Sequence, residues 1–97
     1  MSALQELRRA LREVGIHHAS QSAGTLSAIS ELVEASADLA SPLLGIPRAT
    51  AVAAQADHYA VVLAEVQRGE FSTFENEAMW EGVLAQVRER TMRGSER

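Results

Sequence analysis

Two stretches of helical apolar periodicity, separated by a proline- and glycine-containing break at 41–47, constrain the fold of this chain more than any other feature. Apolar residues recur every three or four positions on both sides of the break, as they do along one face of an α-helix. Such a face is stable only when it is buried, so the pattern predicts a long antiparallel helical hairpin over 22–68. The residues expected in its core, or in a self-association surface, are Leu26, Ile29, Val33, Val52, Tyr59, Leu63 and Val66.

Flanking helices are predicted at 3–14 and 73–93, each opened by a capping box. In this motif a serine and the residue three positions later exchange hydrogen bonds with each other's backbone. The two pairs are Ser2 with Gln5 and Ser72 with Glu75. No strand pattern is present. The sequence therefore predicts a single all-α domain over 1–97, a small bundle of three to four helices.

Glycine and proline set the expected helix boundaries. Gly15 stands where a helix C-terminus favours a residue that can adopt positive φ. The second helix is predicted to stop before Pro42, because proline disfavours the helical conformation in the residue that precedes it. Pro47 then fits the first position of the third helix. Gly82 is expected either to break the fourth helix or to permit a close packing contact, and residues 16–25 are compatible with helix or loop.

The apolar composition predicts association. The apolar fraction is 46%, but aromatic residues make up only 4% and much of the remainder is alanine, which buries little area. A core built from one copy of a 97-residue chain of this composition is thin. Alanine-rich helix faces also pack closely against one another. We therefore expect an oligomer, with a homodimer as its simplest form.

The charge distribution and the absence of apolar runs narrow the class of partner. The net charge is −4, and residues 16–87 carry nine acidic residues against two arginines, which disfavours nucleic-acid binding. No apolar run has the length of a membrane span, and the first residues lack the apolar segment of a secretory signal. A cytoplasmic protein is expected. All nine basic residues are arginine, which together with the alanine content indicates a GC-rich bacterial or phage source.

The titratable residues do not form a recognisable metal or catalytic site. His17 and His18 are adjacent, so on a helix they point about 100° apart. No pair of potential ligands has the spacing of helical metal sites, and the absence of cysteine excludes thiolate ligands. Asp57, His58 and Tyr59 are consecutive and do not face one another on a helix. The chain is therefore predicted to bind no metal or cofactor and not to be an enzyme.

Residues 17–28 resemble the phosphoacceptor helix of histidine phosphotransfer domains, which are acidic helical bundles with the motif His-x-x-Lys-Gly-Ser-Ala-x-x-Leu-Gly-Ala. With His17 aligned to the acceptor, the matching positions are Ser22, Ala23, Leu26 and Ala28. The positions that depart are Ser20 for the lysine and Gln21 and Ser27 for the two glycines. The resemblance implies a degenerate phosphotransfer domain with His17 as the acceptor on a helix, and this is one alternative function.

The leading hypothesis is a protein-binding surface in 70–84, where aromatic side chains alternate with carboxylates as they do in many protein contacts. Its candidate residues are Phe71, Phe74, Glu75, Glu77, Met79, Trp80 and Glu81. In the competing interpretation the two phenylalanines close the end of the bundle and the tryptophan lies in the core. The predicted function is a non-enzymatic regulatory protein, such as an inhibitor, an antitoxin- or immunity-type factor, or an adaptor. A structural subunit of a larger assembly is the other alternative.

Overall fold

The computed structural model describes residues 2–17, 21–69 and 72–95, with side chains described at 72 and 75–90 in the last range. These residues form the helices α1 (Ala3–Glu13), α2 (Ala23–Leu44), α3 (Arg48–Arg68) and α4 (Thr73–Ser95). They contain no strand. For the described part of the chain, the prediction of an all-α bundle of three to four helices is confirmed.

Both predicted capping boxes are present. At the start of α1, the Gln5 backbone N–H donates to Ser2 Oγ at 3.2 Å and the Ser2 backbone N–H donates to Gln5 Oε1 at 3.1 Å. At the start of α4, the Glu75 N–H donates to Ser72 Oγ at 3.1 Å and the Ser72 N–H donates to Glu75 Oε2 at 2.7 Å. Each box satisfies backbone donors that the first helical turn leaves without intrahelical partners. Local sequence therefore sets where these two helices begin.

The start of α2 decides part of the segment 16–25, which the sequence left open between helix and loop; residues 18–20 lie outside the described residues. Ser22 is the N-cap, and its hydroxyl accepts a hydrogen bond from the Thr25 backbone N–H at 3.0 Å. Ile16 and His17 precede this helix and follow α1, so they belong to the connection. Gly15 ends α1 with φ 82°, as expected for a residue at a helix C-terminus.

The end of α2 differs from the prediction, because the helix continues through Pro42 to Leu44. Proline has no N–H to donate to the helical hydrogen bonds, but other hydrogen bonds close the last turn of α2. Gly45 adopts φ 66°, and its N–H and that of Ile46 both reach the Ser41 carbonyl, the latter at 3.1 Å. The Ser41 hydroxyl also donates to the Ile46 carbonyl at 2.7 Å. This left-handed cap stabilises two helical residues beyond the proline.

Two further boundary predictions are corrected. Pro47 is the N-cap of α3, with φ −59° and ψ 145°, and not its first helical residue. Gly82 neither breaks α4 nor permits a close contact with the described part of the chain, because the helix is continuous and a Cβ at this position would meet none of its atoms within 4 Å. Glycine costs a helix about 1 kcal/mol relative to alanine. Burial of Trp80 and Leu84, which flank it on α4, exceeds that cost.

The core draws on all four helices, and α2 contacts each of the other three. Its largest fully buried apolar side chains are Trp80, Leu7, Leu11, Ile29, Leu32, Leu63 and Val33. Between them lie small residues that let the helices approach closely: Ala10, Ala28, Ala37, Ala51, Ala56 and Ala60, all at most 4% exposed. α1 packs against α2 and α3, whereas α4 packs mainly against α2. No helix in the described ranges is long and apolar enough to cross a membrane.

Candidate protein-contact surface

Trp80 is a core residue of this chain, 1% exposed. Its ring meets Tyr59 of α3 edge-on, with the centroids 6.0 Å apart, and the Tyr59 hydroxyl is 2.8 Å from Ser36 Oγ of α2. The tryptophan therefore joins α4 to the other two long helices. Of the two positions that the sequence left open for it, core or partner surface, the structure places it in the core. Its indole N–H and the buried Asn76 Oδ1, one turn earlier on α4, have no hydrogen-bond partner among the described residues.

Glu77 also makes an internal contact, at the N-terminus of α2. Ser22 Oγ donates to Glu77 Oε2 at 2.7 Å, and the carboxylate occupies the space where a Cβ on Gly24 would lie. A carboxylate at a helix N-terminus is favoured by the partial positive charge of the first turn. Glu77 therefore acts as a second cap on α2, supplied by a helix that is distant in the sequence.

The remaining residues of the predicted 70–84 surface leave little apolar area exposed in the described part of the chain. Glu75 is exposed and belongs to the capping box of α4, and Glu81 is exposed on the same helix. Met79 is half-buried against the core. Phe71 lies outside the described residues, and so does the side chain of Phe74. The described members of this surface are therefore mostly acidic.

The residues predicted for the core or for self-association are held largely inside the single chain. Ile29, Val33 and Leu63 are fully buried and Val52 is 5% exposed. Leu26, Tyr59 and Val66 are half-buried. A dimer that used this stripe would have to separate the helices that cover it. A self-association surface has to be sought elsewhere on the chain.

The two described histidines, His17 and His58, do not meet the geometry that the phosphotransfer resemblance implies, and His18 lies outside the described residues. His17 is exposed, but it lies in the connection between α1 and α2 and not on a helix. His58 is exposed on α3 with its ring edge-on to Tyr59 at 5.1 Å. Within the described ranges, no group of three or more His, Cys, Asp or Glu side chains is arranged to hold a metal ion. We therefore do not carry the phosphotransfer function further.

Arg9 forms the main charged cluster of the bundle. Its guanidinium lies 2.9 Å from Glu6, 3.0 Å from Glu13 and 3.2 Å from Asp57 of α3. Hydrogen bonds to the Glu6 and Glu13 carboxylates, with a smaller contribution from Asp57, raise the pKa of Arg9 above its usual value. The arginine therefore stays charged and ties α1 to α3, which is a structural role.

The most unusual surface is the turn between α2 and α3, residues 38–50, which we call the tip. None of its residues is buried. Leu43 is 83% exposed, Leu44 66% and Leu39 54%. Monomeric proteins rarely expose several large aliphatic side chains in one place unless the patch makes a contact. The tip is therefore the candidate protein-contact surface.

The sequence contained a signal for this surface that the periodicity argument passed over. Turns at helix ends are usually built from polar residues, glycine and proline. This one contains Leu43, Leu44 and Ile46 between its two prolines. α2 ends before Gly45 and α3 begins at Arg48, so no described helix covers Leu43 and Leu44, whereas Ile46 packs against the core. The tip also carries one ion pair, in which Arg48 Nε lies 2.8 Å from Asp38 Oδ1.

A groove between α2 and α4 has a volume of about 360 Å³. Small residues of α2 form one wall, and Glu81, Leu84 and Ala85 of α4 form the other. Arg88 and Glu31 form an ion pair across it. Two of the three charged groups that line the groove are therefore already paired with each other, and Glu81 is the remaining charge that it offers to a ligand.

Comparison with known proteins identifies no relative from which a function of the tip could be inferred. The chain matches no protein-family model, no curated protein and no solved structure. A fold of this class hosts many unrelated functions, so function has to be argued from the exposed leucines and charges themselves.

Proposed function

We propose that this chain is a non-enzymatic protein-binding module that uses the tip as its contact surface, with a second copy of the chain as its partner. The observation that carries the proposal is the exposure of Leu43, Leu44 and Leu39 at one end of the α2–α3 connection. Aliphatic side chains held on rigid helix ends lose little conformational entropy when a partner covers them. An inhibitor, an immunity-type factor or an adaptor acts through contacts of this kind.

The size of the apolar patch sets the expected affinity. The exposed fractions of its leucines amount to about two whole side chains per copy. Burying a leucine contributes about 1.5–3 kcal/mol, so two tips in contact gain about 6–12 kcal/mol before the cost of association. That cost is about 4–15 kcal/mol. The net gain is therefore at most about 8 kcal/mol, and we take as the expected value a weak dimer with a dissociation constant on the order of 0.1 mM, which corresponds to about 5.5 kcal/mol.

The charges of the tip favour a second copy. The chain carries a net charge of −4, but Asp38 and Arg48 neutralise each other at the tip, so two tips meet without net repulsion. A two-fold axis also brings each surface against an identical one. Asp38 of one copy can then approach Arg48 of the other, which gives the contact a preferred register.

The test is the solution mass by light scattering over a concentration series from roughly 10 µM to 1 mM, which spans the expected dissociation constant. We expect the mass to rise from 10.5 kDa towards twice that value. A double variant, Leu43→Ser with Leu44→Ser, should remain monomeric. Val61→Ser is the matched control, because Val61 is 46% exposed on α3 away from the tip and its loss should leave the association unchanged.

Two results would contradict the proposal. One is a wild-type mass of 10.5 kDa at every concentration, which would indicate that the tip binds a different protein and not a second copy. The other is association that the double variant does not weaken, which would place the interface on another surface. Far-UV circular dichroism of the variants shows whether the helices are intact, so loss of association cannot be confused with unfolding.

A further inference from the structure

A second depression, between α1 and α2, has a different chemical character from the tip. It has a volume of about 250 Å³ and is lined by Leu4, Arg8, Ala23, Leu26, Ser27 and Ser30. Leu4 and Leu26 are half-buried and form its apolar part. The serines contribute hydroxyl groups at the rim, and the arginine contributes one positive charge. We call this depression the α1–α2 cleft.

Arg8 is the feature that distinguishes the cleft. It is exposed, and within the described ranges it forms no ion pair. By contrast, Arg9, Arg48 and Arg88 each pair with a carboxylate. An unpaired guanidinium beside aliphatic surface is well suited to bind a carboxylate, because it can donate two parallel hydrogen bonds to it.

The surroundings of Arg8 reinforce its charge. Arg12, one turn further along α1, is also exposed, so this face of the helix is positive in a chain whose net charge is negative. Ala23, on the opposite wall, is the first residue of α2, whose N-terminal partial charge is already met by Glu77, so the positive charge of the cleft comes from the arginines of α1. The carboxylate of Glu6 is taken by Arg9. The cleft therefore attracts an anion.

Its size decides what kind of anion fits. Pockets for small molecules usually have volumes of about 300–1,000 Å³, so the cleft lies below that range and accommodates one or two side chains. We propose that the α1–α2 cleft binds a segment of a partner protein in which an acidic residue adjoins an aliphatic one. The carboxylate pairs with Arg8, and the aliphatic side chain packs on Leu4 and Leu26. This contact goes beyond the tip and involves different residues.

The experiment is an NMR titration of the ¹⁵N-labelled chain with two capped dipeptides, N-acetyl-Leu-Glu-amide and N-acetyl-Leu-Gln-amide. We expect the backbone signals of Leu26, Ser27 and Ser30 to shift, with binding in the millimolar range. Exposed ion pairs contribute up to about 1 kcal/mol, so the acidic peptide should bind about two- to fivefold more tightly than the neutral one. Arg8→Gln should abolish this preference, whereas Arg12→Gln, one turn away and outside the cleft, should preserve it.

Equal affinity for the two peptides, or loss of the preference in Arg12→Gln alone, overturns the proposal. Shifts confined to the groove between α2 and α4 overturn it as well. The titration is carried out on the chain with Leu43→Ser and Leu44→Ser, so self-association through the tip does not contribute. Failure of the cleft to bind the acidic peptide would therefore not bear on the proposed function of the tip. In the same way, a chain that stays monomeric in light scattering would not bear on the cleft.

Discussion

Because Glu77 contacts the N-terminus of α2, the effect of Gly24→Ala on the free energy of unfolding should have opposite signs in the presence and in the absence of Glu77. Gly24 lies in the first turn of α2, where alanine would ordinarily stabilise the helix. A Cβ at this position, however, would overlap the Glu77 carboxyl group. The carboxylate is the end of a flexible side chain, so it can move away, but in doing so it leaves Ser22 Oγ, which is 2.7 Å from Glu77 Oε2. Gly24→Ala therefore gains helix propensity but loses a hydrogen bond to a charged group.

The magnitudes favour the hydrogen bond. Replacing glycine by alanine in a helix interior stabilises by up to about 1 kcal/mol, and by roughly half of that in the first turn. A hydrogen bond to a charged group contributes about 1.5–3 kcal/mol, and a carboxylate at a helix N-terminus adds about 0.3–1 kcal/mol. We expect Gly24→Ala to lower the free energy of unfolding by about 1–2 kcal/mol in the wild-type chain. In a Glu77→Ala background the same change should raise it by roughly 0.5 kcal/mol.

Urea unfolding of the four proteins of this double-mutant cycle tests the prediction. The cycle consists of the wild type, each single variant and the double variant, all followed by circular dichroism at a concentration of roughly 5 µM, well below the expected dimer dissociation constant. The coupling between the two positions should be about 2 kcal/mol. If Gly24→Ala has the same sign in both backgrounds, the carboxylate does not hold the N-terminus of α2, and the reasoning fails.

Three further substitutions test other parts of the bundle, each by its effect on the urea midpoint. Gly82→Ala should stabilise the chain by about 0.5–1 kcal/mol, because α4 is continuous there and the added methyl group meets nothing; a destabilised variant would reveal a contact on this face. Trp80→Ala should cost about 3–5 kcal/mol through the loss of the largest core side chain, and a cost below 1 kcal/mol would contradict its burial. Arg9→Gln should cost about 2 kcal/mol, since it leaves the 8%-exposed Glu6 carboxylate unpaired. Its control, Arg48→Gln, removes an exposed pair and should change stability by less than about 0.5 kcal/mol.

The parts of the fold that follow from neighbouring residues were predictable. The capping boxes at Ser2 and Ser72 and the positive φ of Gly15 depend on contacts within a few residues, and all three are present. The prediction was wrong at Pro42. There the tendency of proline to end a helix is outweighed by a local C-terminal cap that involves Ser41 and Gly45, on both sides of the proline. Rules for single residues do not weigh such combinations, and the helix therefore extends further than expected.

The candidate site was less predictable, because apolar pattern does not distinguish burial by the same chain from burial by a partner. Trp80 and Leu43 are both large apolar residues on helices. The first is covered by α2 and α3, and the second is covered by nothing. Glu77 likewise matched the description of a surface carboxylate, yet it bonds to Ser22, which lies 55 positions away along the chain.

The sequence by itself thus determined the helical class, the starts of α1 and α4, and the stripe of residues that fills the core, since each of these depends on local hydrogen bonds or on a period of 3.6 residues. Only the tertiary structure decided which carboxylate caps α2, that the tryptophan is internal and that the leucines of the tip are exposed. These outcomes depend on which helix faces cover one another, and that choice is made by packing between residues far apart in the chain.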